Sequence, residues 1–146
     1  EAQKASLSGK LPPTTPPVGW KPSYGVYFNI PPAPTADNKS FIYFTDTTVP
    51  YNVFDGSASS CTLECLEKTT ITKGNIISRL GYYEGGVLTD TLDNLTIVFS
   101  RANSGVIFSS TNVLPAVVTY VQITIISPNG VTGKIKVYPS GRIQVN

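Results

Sequence analysis

The chain has no histidine and no methionine, one tryptophan and two cysteines. Without histidine, neither a Ser-His-Asp nor a Cys-His catalytic arrangement can be assembled. A Ser-Lys pair needs no histidine, but no G-x-S-x-G stretch supports one. With only two cysteines and no histidine, a zinc site lacks ligands. Charged residues are also scarce, at 14%, against a usual quarter. The surface is therefore mostly neutral and polar, as on many extracellular proteins. The formal net charge of +2 is too small by itself to argue for nucleic acid. No stretch reaches the roughly 18 apolar residues that span a bilayer, and no signal peptide is visible. The missing methionine is read as processing or trimming, with a leader, an anchor or both expected to have been removed.

What is present favours strands and turns. Thr, Ser, Val, Ile, Tyr, Gly and Pro dominate, a mixture that suits pleated strands and tight reversals better than helices. A length of 146 residues fits one domain with a real core. No internal repeat is evident.

Within "EAQKASLSG", Glu1, Ala2, Gln3, Lys4 and Ala5 are good helix formers with no N-cap before them, and Gly9 is a stop signal with Lys4 and Lys10 near the helix's negative end. From Gly9 to Pro34 the prolines of "GKLPPTTPPVGWKP" and "IPPAP" remove donors and fix φ, so the segment reads as an extended connector. It is broken by one short strand, "YGVYFNI", and Trp20 is expected to pin the connector to the core. "SFIYFTD" is a second strand. Asp46, Asn52 and Asp55 surround the following loop. Such a trio either binds calcium without EF-hand spacing or holds a turn through side-chain to backbone bonds.

"TLECLEK" is expected to form one or two helical turns, with Glu64 and Glu67 on one solvated side. "TTITKGNIISRLGYYEGG" reads as strand, Lys-Gly-Asn turn, strand. "NLTIVFS" puts Leu95, Ile97 and Phe99 on one face and forms a hairpin with "GVIFSS". In "VVTYVQITIIS", Val117, Val121, Ile123 and Ile125 share one face; Tyr120, Gln122 and Thr124 share the other, solvated one. "KIKVYPSGRIQVN" alternates strictly: Ile135, Val137, Ile143 and Val145 inward, Lys134, Lys136, Arg142 and Gln144 outward. No helix is long enough for parallel crossovers, so the sheet is expected to be antiparallel.

Candidate chemistry is thin. Glu64, Glu67, Glu84, Asp90 and Asp93 are scattered, and "YYEGGVLTD" has glycines with no Walker lysine. Cys61 and Cys65 are either free thiols or a disulfide closing a very small loop; the exported composition favours the disulfide. Sequons occur at Asn38 and Asn94. Lys134, Lys136 and Arg142 face outward together, which suits either phosphate neutralisation or protection of a sheet edge. A further possibility is a carbohydrate platform of Trp20, Tyr82 and Tyr83. No metal and no cofactor are expected.

Three stretches together carry a resemblance. "EAQKASLSG" resembles the distal part of the long N-terminal helix of type IV pilin-like proteins. "YGVYFNI…FIYFTDTTVPYNVFDG" is similar to the early strands and Asp-rich turn of the FimT-like and H-type pseudopilin group. "KIKVYPSGRIQV" looks like that group's closing hairpin. The resemblance implies an α+β, mostly β head: residues 1–9 as the end of a longer helix, 10–23 as a Pro-rich connector and 24–146 as the β-rich body. It implies an anchoring apolar helix upstream of Glu1 and membrane attachment before assembly. It further implies pilin subunits as partners, in a pilus or secretion filament displayed at the cell surface. Some FimT-like minor pilins take up DNA through a C-terminal Gly-Arg-x-Arg motif. Gly141 and Arg142 match it, but Gln144 stands where the second arginine would be. Glutamine bonds a phosphate without releasing a counterion, so DNA is an alternative partner resting on Lys134, Lys136, Arg142 and Gln144. The C-terminal disulfide usual in major pilins has no counterpart.

Overall fold

The computed structural model describes residues 1–9, 11–12, 15–16, 18–21, 23–30, 37–100 and 105–146. One short helix, α1 (Ala2–Ser8), is followed by strands β1 (Ser23–Asn29), β2 (Ser40–Thr45), β3 (Cys65–Thr70), β4 (Ile76–Glu84) and β5 (Val87–Thr89). The chain continues as β6 (Asn94–Ser100), β7 (Gly105–Ser109), β8 (Tyr120–Ile126), β9 (Thr132–Val137) and β10 (Ile143–Val145). They form two five-stranded sheets, ordered β3-β2-β1-β6-β7 and β10-β9-β8-β4-β5, and every strand pair is antiparallel. The protein is mostly β with one short N-terminal helix, as expected.

Alternation builds the main core. Tyr24, Leu95, Ile97 and Phe99 of the first sheet meet Ile77, Leu80, Val121, Ile123 and Val137 of the second. Each such side chain stabilises the fold by about 1.5–3 kcal/mol when fully buried. The first sheet also has a covered back: Ile42, Phe44 and Val98 pack with Phe54 from the loop after β2. That is why β6 is buried on both faces and reads as a nearly continuous apolar run. Gly25 allows the back to close, since a Cβ there would sit 2.4 Å from the Phe44 ring.

α1 ends where the sequence indicates. Gly9 has φ 66° and donates its N–H to the carbonyls of Ala5 and Ser6, a left-handed cap that costs glycine little. No basic residue lies in the last turn of α1, so Lys4 does not serve the macrodipole there; Lys10 lies outside the described residues. Ala2, Ala5 and Ser6 are buried, and Gln3 Nε2 donates to the Gly141 carbonyl of the second sheet at 3.0 Å. The small side chains let the helix approach both sheets. Trp20 does pin the connector: its indole N–H donates to the Asp46 carbonyl at 2.6 Å, and its ring stands edge-on to Tyr24. The prolines at 31, 32 and 34 and the turn at 101–104 lie outside the described residues.

Several expectations need correction. "TLECLEK" is not helical; Cys65–Thr70 is β3, paired with β2. Cys61 and Leu63 take φ of 48° and 59°, which breaks any helix. The two glutamates part: Glu64 is buried and Glu67 is exposed. The strands flanking Lys73 and Gly74 do not pair with each other; β3 belongs to the first sheet and β4 to the second, so the turn carries the chain between layers. Val117 precedes β8 and is 73% exposed. Gln122 and Thr124 do point outward, yet both are buried, because each sits mid-sheet beside long side chains: Lys136 next to Gln122, whose other neighbour is Gly81, and Arg79 and Lys134 on either side of Thr124. Ile143 and Val145 share the inward face by register, but they lie on an edge strand and stay exposed.

Cys61 and Cys65 are joined by a disulfide, Cα to Cα 5.0 Å. It closes the bend that turns Glu64 inward. Reducing it is expected to lower stability by about 2 kcal/mol, measured as the shift in urea midpoint with and without reductant.

Candidate functional site

The outer face of the second sheet gathers the residues singled out from sequence. Gln122 of β8 lies opposite Lys136 of β9, and Lys136 lies opposite Gln144 of β10. Thr124 lies opposite Lys134. Arg142 enters from the Pro-Ser-Gly reversal, where Gly141 has φ 85° and Tyr138 and Arg142 close the turn by a backbone bond of 2.9 Å. Lys134, Lys136, Arg142 and Gln144 thus share one surface, as the alternation indicates.

The structure adds an aromatic row that sequence reading did not assemble. Tyr83 of β4 lies opposite Tyr120 of β8, and their rings stack at 4.8 Å with 5° between planes. Tyr138 continues the row, 5.4 Å from Tyr120. Cations close on it: Lys136 Nζ lies 4.8 Å from the Tyr120 centroid and the Arg142 guanidinium 3.8 Å from that of Tyr138. Such contacts are worth about 0.5–1 kcal/mol each at exposed sites, enough to orient long side chains. Gln144 is engaged internally. Its Oε1 accepts from the Tyr138 hydroxyl at 3.1 Å, and its Nε2 donates to Asn146 at 3.0 Å.

Charge on this face is one-sided. Arg79 is answered by Asp90 at 2.6 Å. Lys134, Lys136 and Arg142 have no carboxylate within ion-pair distance among the described residues. Those uncompensated charges exceed the +2 of the whole chain. The signal for the aromatic row was the shared outward parity of Tyr120 and Gln122 in β8, combined with the position of Tyr138 just before the reversal.

The other candidates separate. Trp20, Tyr82 and Tyr83 do not form a platform: Tyr82 packs on the core between the sheets. Trp20 instead lines a polar cavity of about 290 Å³ with Lys21, Asp46, Tyr51 and Asn52. In the loop after β2, the Asn52 N–H donates to Asp46 Oδ2 at 2.8 Å, and the Thr48 hydroxyl shares its one hydrogen between Asp55 Oδ2 at 3.0 Å and Glu64 Oε1 at 2.8 Å. The turn is held by side-chain bonds. No cluster of potential metal ligands occurs among the described residues. Asn94 of the second sequon spends its amide on Thr111, donating to the hydroxyl at 2.6 Å and accepting from the backbone N–H at 3.0 Å.

Among the described residues no helix is long and apolar enough to cross a membrane. Comparisons with protein-family models, with curated proteins and with solved structures each found no match.

Proposed function

We propose that the chain is the head of a pilin or minor pseudopilin, a structural subunit that acts by assembly and surface presentation, without turnover. The observation that carries this reading is the seat of α1. The buried Ala2, Ala5 and Ser6 set the helix against β1 and β6, and Gln3 reaches the closing turn of the other sheet. An apolar cavity of about 270 Å³ lies beside its first turn, walled by Val26, Phe28, Ile97, Ile123 and Ile135. A helix seated this way is fixed to the head and able to transmit load from a filament core to it. The partners under this reading are other pilin subunits, and the membrane before assembly.

The test is the encoding gene. The reading frame is expected to run upstream of Glu1 through an apolar stretch of about 20 residues preceded by a prepilin-type cleavage site. An ordinary cleaved signal peptide directly before Glu1 would overturn the reading.

A further inference from the structure

We infer that the outer face of the second sheet binds a linear acidic polysaccharide, through Lys134, Lys136 and Arg142. This rests on the chemistry of the face alone and stands independently of the filament reading.

Charge complementarity comes first. The uncompensated cations lie on one surface, and Asp90 is already held by Arg79. Lys134 and Lys136 alternate on β9, so their stems rise from one face about 7 Å apart. Arg142 extends the line beyond β10's first residue. Three cations spread over adjacent strands match a chain whose charges are separated by neutral groups.

The remaining groups choose the class of polyanion. Single-stranded nucleic acid is gripped by open aromatic faces on which bases stack. Here each ring spends a face on a neighbour: Tyr83 and Tyr120 on each other, and Tyr138 on the Arg142 guanidinium. Lys136 approaches Tyr120 as well. What this row offers a ligand is the hydrogen-bonding capacity its internal bonds leave: the lone pairs of the Tyr138 hydroxyl, the second amide hydrogen of Gln144 and the amide N–H groups of Asn146, set among the cations. Hydroxyl-bearing sugar units between carboxylate or sulfate groups use both kinds of partner. Duplex DNA offers phosphates alone to such a face, and its affinity grows with the number of cations that displace counterions; Gln144 supplies none.

The experiment measures binding of the 146-residue chain to heparin fragments, alginate, neutral dextran, and single- and double-stranded DNA of matched length. The expected result is salt-sensitive binding to heparin fragments or alginate, with none to dextran and weaker binding to both DNAs. Lys134→Gln/Lys136→Gln/Arg142→Gln is expected to weaken glycan binding by about tenfold or more, with an unchanged thermal midpoint. Lys39→Gln, at an exposed turn position just before β2, leaves it unaltered. If the triple variant unfolds, the three single variants are measured, each expected to lose part of the affinity. No binding to either acidic glycan, tighter binding to either DNA, or glycan binding indifferent to these variants overturns the inference.

Discussion

Glu64→Ala is expected to destabilise the protein by about 3 kcal/mol, the high end for a single substitution. Glu64 is 1% exposed, and its carboxylate organises the loop after β2. Oε1 accepts from the backbone N–H groups of Thr47 and Thr48, both at 2.7 Å, and lies 2.8 Å from the Thr48 hydroxyl, whose single hydrogen it shares with Asp55 Oδ2. Oε2 accepts from the Asp55 N–H at 3.3 Å. Hydrogen bonds to a charged acceptor contribute about 1.5–3 kcal/mol each, and an orphaned buried donor costs about 1–3 kcal/mol. Simple addition overshoots, for two reasons. Thr48 is exposed, so water replaces part of what it loses. Removing Glu64 also relieves its repulsion of Asp46. Glu64→Gln is expected to cost about half as much, since its amide oxygen keeps the Thr47 and Thr48 bonds while its amine faces the Asp55 N–H. Urea unfolding of both variants checks the order. Equal losses would place the effect in the carboxylate's charge and its Oε2 acceptor, because glutamine keeps the side chain's volume and its bonds to Thr47 and Thr48.

Glu64 also marks the limit of what could be read from the sequence. The strict alternation of β8, β9 and β10 was legible because the side-chain period of a strand is fixed at two and the turns between carry proline and glycine. The end of α1 was legible because Gly9 is a local signal. "TLECLEK" was misread because its spacing of Glu64 and Glu67 satisfies a helix equally well. What decides the matter is not local: a disulfide, left-handed Cys61 and Leu63, and pairing to β2. The division into two sheets was hidden for a similar reason. The pattern of β3 and β4 shows two strands and a turn, but nothing in it states that the turn crosses layers. The basic members of the outer face were found by parity within one hairpin. Tyr83 joins them only through the pairing of β4 with β8, a long-range register that one sequence does not encode in adjacent residues. Gln122 and Thr124 were expected to be solvated because alternation gives direction and not depth; their neighbours' long side chains supply the cover.

Stability is expected to fall as the pH rises from about 4 to about 6, because of Asp46. Asp46 is 2% exposed; its Oδ2 accepts from the Asn52 N–H, while Oδ1 has no hydrogen-bond partner among the described residues. Burial pushes its carboxyl up from the ordinary 3.8 to about 6. The Asn52 bond opposes that rise, and the charges of Glu64 and Asp55 add to it. The folded protein therefore holds a proton that the unfolded chain releases near pH 4. By linkage, the contribution of the neutral form is complete below pH 4 and is lost as the pH climbs through 6, after which the curve is flat. A rise of that size corresponds to about 3 kcal/mol between the protonated and ionised forms. Other carboxylates act the opposite way: Asp37, held down first by its bond to Lys68, loses its contribution as the pH falls. The difference between wild type and Asp46→Asn isolates the one group. The variant is expected to be more stable than wild type at pH 7 and to show little slope between pH 4 and 6. Parallel urea midpoints for the two proteins across that window would mean that Asp46 ionises at no cost, and that its unpartnered oxygen is met by water from the adjoining cavity beside Trp20.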